Sequence, residues 1–363
     1  MSQLLHRLDE RLRFESDLNV RAELLAQRAG YLSRVGRFDE ARTIISEVRS
    51  SFGNTRDGRA TVQVMLAEGL ALHFEFLGAE TGDRLARAHL LAQAMRDREL
   101  TAITSAWRAH LSFEASDWQL TSRFLLQAFQ NSEQDNHSAL ARCALVLFNA
   151  FALCGDRRES QYWFMKGRDH ALKQGDQATI DALLYSRAAF GAAWLRAQRS
   201  RGLVQPNEIA LARREVNSAR NLQNLTRVDA HSRYIDLCDA RLRTIDGDYQ
   251  GAIDLLTVLR EDGLYPRGHF SQPLVDLELA YCRVQLGHKS ADSLTPSSGE
   301  LAWIEELDID DRLGAAWMVA ELSRVDGASE LSESASRRLA AAVADYEAWL
   351  LELRTHITSF AGH

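Results

Sequence analysis

One spacing recurs along this chain and constrains its fold more than any other feature. The small residue Ala29 is followed after seven positions by a turn residue, Gly36. An aromatic residue, Phe38, comes two positions after the turn, and a second small residue, Ala41, comes five after it. Small residues let two helices approach closely, and glycine adopts the left-handed conformation that ends a helix. The spacing therefore predicts two helices joined by a tight corner.

The same corner is repeated along the chain. Further copies, some with substitutions, have their turn positions at Ser116, Gly155, Gly247 and Gly287. Successive turn positions differ by 80, 39, 92 and 40 residues, so each large interval has room for one more copy. Residues 57–96 and 178–224 are the candidates, the second with a corner lengthened by 199–207. About seven units with a period near 40 residues predict an all-α fold of stacked helical hairpins.

This pattern resembles the tetratricopeptide repeat (TPR) family over residues 22–292, with the best matches around Gly36 and Gly247. The usual repeat of that family has about 34 residues. The longer unit is similar to the repeat arms of bacterial regulators. The resemblance implies a right-handed superhelix of about seven hairpins, a TPR-like α-solenoid with a concave groove lined by the first helix of each hairpin.

The two ends of the chain differ from the repeats. Residues 1–20, with Leu4, Leu5, Leu8 and Leu12, predict a capping helix before a repeat domain at 21–290. A linker at 287–300 precedes a C-terminal helical hairpin at 301–363. Its last helix has apolar residues at alternating spacings of four and three: Leu339, Val343, Tyr346, Leu350, Leu353, Ile357 and Phe360. This stripe either packs back on the repeats as a cap, or serves a homodimer through 339–360 or a relay to another domain.

The overall composition excludes some partners. A net charge of −7 argues against nucleic acid, which is bound by basic surfaces. No window reaches the roughly 18–20 apolar residues of a membrane helix, so we expect no membrane partner. The four cysteines lack CxxC spacing and lie in apolar helical patterns. They predict reduced, buried thiols in a cytoplasmic protein.

The sequence contains no familiar catalytic pattern. It lacks a phosphate-binding glycine loop, a GxSxG nucleophile turn and an HExxH zinc motif. The eleven histidines are scattered, and we expect no metal site, no cofactor and no enzyme activity. The acidic run at 305–311 is interpreted as a helix start favoured by the helix dipole. The arginine cluster at 196–214 is interpreted as exposed and balanced by Glu208 and Glu215.

The resemblance also implies which residues line the groove. The predicted partner-binding residues are His110, Phe113, Arg142, Asn149, Tyr185, Tyr234, Arg241 and Tyr281. Asn149 can hydrogen-bond an extended peptide backbone, and the two arginines can hold carboxylates. In the first unit the groove positions are the small residues Ala26 and Gly30. Binding of a C-terminal carboxylate there, as in family members that recognise chaperone tails, is therefore not expected.

Three functions remain open at this point. The first is a non-enzymatic scaffold, adaptor or regulatory arm that binds a protein or peptide in the groove. The second is a sensor of a signal peptide or small ligand that changes superhelical pitch on binding. The third, more remote, is a helical enzyme or enzyme subunit that uses scattered acids or His110.

Overall fold

The computed structural model describes residues 2–52, 57–76, 80–226, 232–261, 272–288, 301–326 and 329–362. Within these ranges the chain is all-α, with sixteen α-helices and no strand. The helices are α1 (Gln3–Phe14), α2 (Leu18–Arg34), α3 (Phe38–Phe52), α4 (Gly58–Phe76), α5 (Glu80–Ala94), α6 (Arg98–Glu114), α7 (Trp118–Asn131), α8 (His137–Leu153), α9 (Arg157–Gln174), α10 (Gln177–Ser200), α11 (Pro206–Thr226), α12 (Ser232–Asp246), α13 (Tyr249–Glu261), α14 (Gln272–Gln285), α15 (Ile309–Asp326) and α16 (Ser329–Ile357). Short 3₁₀ helices lie at Ala302–Glu306 and Thr358–Phe360. None of the helices in the described ranges is both long and apolar enough to cross a membrane.

All five predicted turn residues adopt the left-handed conformation. Their φ angles are 83° at Gly36, 56° at Ser116, 71° at Gly155, 85° at Gly247 and 82° at Gly287. After Gly36 the N–H of Arg37 donates to the carbonyl of Leu32 at 2.9 Å. This bond satisfies one of the carbonyls left unpaired at the end of a helix. The corner prediction is confirmed.

An aspartate after the turn explains why a new helix begins there. Asp117 accepts a hydrogen bond from the N–H of Leu120 at 2.9 Å, and Asp248 accepts one from Gly251 at 3.1 Å. The same N-terminal cap is found at Asp97, Asp156 and Asp176. A carboxylate at this position satisfies an N–H group that has no partner within the helix.

The helices form consecutive hairpins. Each pair from α2–α3 to α12–α13 packs together, and the first helices α2, α4, α6, α8, α10 and α12 pack side by side in chain order. The two further copies expected within the long intervals, at 57–96 and 178–224, are the hairpins α4–α5 and α10–α11. The helix α14 follows in the position of a seventh first helix. The predicted linker at 287–300 lies almost wholly outside the described residues.

The N-terminal helix covers the first hairpin and also reaches a distant one. Leu5, Leu8 and Leu12 of α1 are buried in one apolar cluster with α2. The Leu4 N–H and the Ser2 hydroxyl both donate to the carbonyl of Gly175 at 3.0 Å. The cap therefore bridges the first hairpin and the turn between α9 and α10.

The C-terminal helices pack on the repeats of their own chain. Helix α15 contacts α10 and α14, whereas α16 contacts α7 and α8. The last five residues of the apolar stripe, from Tyr346 to Phe360, are buried in the largest apolar cluster, and Leu339 and Val343 pack against it. The stripe thus packs back on the repeats, which was the first of the two alternatives. A homodimer through 339–360 stays a prediction and would require this helix to leave its place.

Candidate functional site

The predicted groove residues all lie on first helices, but they do not form an open surface. Helix α6 carries His110 and Phe113, α8 carries Arg142 and Asn149, α10 carries Tyr185, α12 carries Tyr234 and Arg241, and α14 carries Tyr281. Five of these residues are buried, and Tyr185, Tyr234 and Arg241 are half-buried. Their role in binding a partner stays a prediction.

A buried cluster of charges joins three of the first helices to α15. The Arg241 Nε donates to Glu278 Oε1 at 2.9 Å, and its Nη2 lies 3.0 Å from Asp311 Oδ1. The Arg196 Nη1 donates to the same Asp311 oxygen at 2.5 Å. These four side chains are at most 12% exposed. One carboxylate of α15 is therefore held by arginines of α10 and α12.

Burial and charge oppose each other in this cluster. Burial alone raises the pKa of Asp311, but the charges of Arg241 and Arg196 outweigh it and hold that pKa below its usual value. The neighbouring Asp310 has its pKa raised to about 6 by burial and then by the charge of Asp311. The site therefore favours the ionised form of Asp311 and disfavours that of Asp310.

The interpretation of the arginine cluster was wrong for Arg196. Arg196 is not exposed and is not balanced by the nearby glutamates, because it is only 7% exposed and binds Asp311. Glu208 and Glu215 instead pair with Arg157 and Arg187. The acidic run at 305–311 does begin a helix, yet Asp311 also makes long-range contacts that sequence separation conceals.

Aromatic contacts accompany the charged cluster. The Trp317 ring of α15 lies 5.0 Å from the ring of Tyr281. The Trp349 ring of α16 lies 5.2 Å from that of Trp118, at the start of α7. We call the surface formed by Tyr185, Arg196, Tyr234, Arg241, Glu278 and Tyr281 the first-helix face. Helix α15 contacts this face at its two arginines, through Asp311, and at Tyr281, through Trp317.

A second cluster lies between α4 and α6. The ligand atoms of His73, His110 and Glu114 all lie within 4.8 Å of one another. The Trp107 ring packs edge-on against His110 at 5.6 Å, and the Arg142 guanidinium lies 3.8 Å from the centre of the same tryptophan ring. The sequence interpretation treated the histidines singly. The missed signal is that His73 and His110 are 37 residues apart, which is close to one repeat.

Two small cavities lie between the helices. One, of about 180 Å³, is bounded by Tyr31, Arg34, Trp107, His137 and Asp176 among others. The other, of about 230 Å³, lies between α8 and α11 and includes the Trp194 ring and the Arg187–Glu215 pair. Both are smaller than the roughly 300–1,000 Å³ typical of sites for drug-sized ligands.

Comparison with known proteins gives no family assignment for this chain. No protein-family model matches it, and no curated protein matches it.

Proposed function

We propose that this protein is a non-enzymatic scaffold, adaptor or regulatory arm that binds a segment of a partner protein on the first-helix face. The observation that carries the proposal is the pairing of Asp311 with Arg196 and Arg241. A carboxylate on a helix already binds these arginines. A partner helix with an acidic first turn offers the same chemistry.

The rest of α15 indicates what such a partner must also supply. Beyond its acidic start the helix presents Trp317 to Tyr281, with the rings 5.0 Å apart. Aromatic anchors in desolvated positions supply much of the binding free energy in protein interfaces. The proposed partner segment is therefore a helix with carboxylates in its first turn and an aromatic residue about two turns later.

Binding of a partner has to compete with the chain's own helix. A tethered segment acts at an effective concentration on the order of millimolar, so it excludes weak ligands from the face. Weakening the contact of Asp311 in the chain should expose the face. Partner binding is then controlled by how firmly α15 is held.

A labelled peptide of residues 301–326 tests this proposal against the full-length chain. The peptide should bind a chain carrying Asp311→Asn about 10-fold or more tighter than the unchanged chain, because the tethered competitor is weakened. A peptide that itself carries Asp311→Asn is the matched control and should bind more weakly. Equal affinity of the two peptides for the altered chain, or no binding of either, would overturn the proposal.

A second candidate function is a sensor of a small ligand or signal peptide. The polar cavity of about 180 Å³ favours it, because residues of α2, α6 and the start of α10 meet there. A ligand bound between these helices would change how the first and fifth hairpins fit together. A ligand-dependent rise in melting temperature that Arg34→Gln abolishes supports the sensor, whereas an unchanged rise places the ligand elsewhere.

A further inference from the structure

The geometry of His73, His110 and Glu114 is close to that of a metal site. The His110 Nε2 lies 3.2 Å from Glu114 Oε1, and the His73 Nε2 lies 3.7 Å from Glu114 Oε2. Two ligands on a tetrahedral zinc ion are about 3.3 Å apart, since each metal–ligand bond is about 2.0–2.1 Å long. Both histidine–carboxylate contacts are already near this separation, and the ligand atoms of all three residues lie within 4.8 Å of one another, so side-chain shifts of about 1.5 Å or less bring them onto one ion.

The surroundings hold the two imidazole rings in place. His73 packs edge-on against Phe74, with the ring centres 4.7 Å apart, and His110 packs in the same way against Trp107. His110 and Glu114 are four residues apart on α6, which puts them on one side of that helix. The ligand set thus joins neighbouring first helices of the second and third hairpins.

The two ring nitrogens of His110 have different surroundings. Its side chain is about nine-tenths buried, and its Nδ1 atom is buried without a hydrogen-bond partner among the described residues. The Nε2 atom, which lies 3.2 Å from Glu114 Oε1, is therefore the nitrogen that would bind the ion. Glu114 is 37% exposed on its side chain, so an ion can reach the cluster from solvent.

We propose that His73, His110 and Glu114 bind one divalent transition-metal ion of the Zn²⁺ class. Two imidazoles and one carboxylate are a ligand set suited to zinc and to neighbouring first-row metals. Three protein ligands leave a fourth position for water or an anion. Because the charge of Glu114 also acts on the buried Arg142, an anion at that position would restore the charge balance when the metal arrives.

The test measures Zn²⁺ binding to the full-length chain after chelator treatment, by equilibrium dialysis and calorimetry. We expect one tightly bound ion per chain and a melting temperature that rises with Zn²⁺ concentration. Co²⁺ should give visible absorption bands typical of an imidazole–carboxylate site of low symmetry. Single substitutions His73→Gln, His110→Gln and Glu114→Gln should each weaken binding by more than about 100-fold, since loss of outer-shell partners alone costs roughly 10- to 100-fold.

A matched control comes from another pair of histidines. His137 and His170 face each other with their Nδ1 atoms 3.0 Å apart, but they supply only two ligands. The double variant His137→Gln/His170→Gln should keep the tight ion.

Circular dichroism verifies that each variant is folded. Because the Glu114 side chain is 37% exposed, its substitution carries little risk to folding. No tight ion in the unchanged chain, or loss of the ion only in the double variant, would overturn the site. The assay contains no partner protein, so its result is independent of the proposed scaffold function.

Discussion

Arg34 and Asp176 form a buried two-point ion pair between parts of the chain 142 residues apart. The Arg34 Nη2 donates to Asp176 Oδ1 at 3.1 Å, and its Nη1 lies 2.9 Å from Oδ2. The same guanidinium donates to the Thr179 hydroxyl at 2.6 Å. Because Arg34 ends α2 and Asp176 caps α10, the pair ties the first hairpin to the fifth.

Replacing Arg34 should therefore be costly. Arg34→Gln leaves a buried carboxylate without its charged partner, and we expect the free energy of unfolding to fall by about 3–5 kcal/mol. Arg37→Gln, which removes only an exposed pair with Glu40, is the control and should change stability little. Urea denaturation of both variants at neutral pH makes the comparison. Equal stability of the two variants would contradict the role of the buried pair.

The same pair predicts a dependence on pH. Burial alone raises the pKa of Asp176, but the charge and hydrogen bonds of Arg34 lower it below its usual value. A carboxylate with a lowered pKa stabilises the fold fully above the pKa of the unfolded chain, about 3.9. Its contribution is lost as the pH falls through the pKa of the folded state. The stability difference between wild type and Arg34→Gln should thus shrink below about pH 4.

Asp181 gives a prediction of opposite sign. Burial raises the pKa of Asp181 to about 6, and one of its carboxylate oxygens is buried without a hydrogen-bond partner among the described residues. Above pH 6 the folded chain carries an ionised Asp181 carboxylate in a buried position, which destabilises the fold. Asp181→Asn should therefore stabilise the protein at pH 8 by about 2–3 kcal/mol, since one pKa unit corresponds to 1.36 kcal/mol.

This advantage should disappear on acidification. As the pH falls from 8 to 4 the folded wild type binds the proton first, so its stability approaches that of Asp181→Asn. Asp169→Asn, which alters an exposed aspartate on α9, is the control and should show no such trend. Denaturation curves at several pH values measure the difference, and a stability gain that is constant with pH would count against the ionised buried group.

The repeat spacing also relates residues that contact each other on neighbouring first helices. Contacts between neighbouring first helices recur at nearly one period: Arg241 and Glu278 are 37 residues apart, and Thr244 and Cys282 are 38 apart. His73 and His110 follow the same rule. The pairing of these histidines was therefore within reach of the sequence, once the register of the second hairpin was known.

The positions of α15 and α16 could not be predicted from the repeat spacing. An apolar stripe has the same spacing whether it packs on its own chain or on another. The Arg196–Asp311 contact spans 115 residues and follows no repeat period. The sequence position of one residue therefore does not predict that it contacts the other. The charged partners of Arg196, Asp311 and Glu278, both lie far from it in sequence. Local charge balance therefore gave the wrong interpretation for this residue.

Asp311→Asn should loosen the C-terminal helices. Removing the charge takes away the carboxylate that both Arg196 and Arg241 contact, and breaking a buried pair costs about 3 kcal/mol or more. If α15 and α16 open separately from the repeats, amide hydrogen exchange in these helices should become roughly 100-fold faster. Glu306→Gln, on the exposed side of the preceding 3₁₀ helix, is the control. Unchanged protection of α15 in Asp311→Asn would show that the charged cluster does not hold it.

The four cysteines should be unreactive in the folded chain. Burial raises the pKa of Cys143 and Cys238 to about 12 and that of Cys154 and Cys282 to about 11. Only the thiolate reacts rapidly, so a thiol reagent at pH 8 should label no cysteine until the protein unfolds. Four thiols should then react per chain. Rapid labelling of any cysteine in the native state would contradict its burial.

Two corner glycines separate the cost of backbone conformation from the cost of crowding. Gly155 and Gly247 both have positive φ, 71° and 85°, so alanine at either position costs about 1–2 kcal/mol. At Gly155 the added methyl carbon would lie 2.5 Å from the Trp194 ring, whereas at Gly247 no described atom lies within 4 Å of it. We therefore expect Gly155→Ala to lower the free energy of unfolding by about 1–3 kcal/mol more than Gly247→Ala does. Urea denaturation of the two variants measures this difference. Equal losses would mean that the Trp194 ring moves aside without cost, and the corner of the fourth hairpin would then be held by its backbone alone.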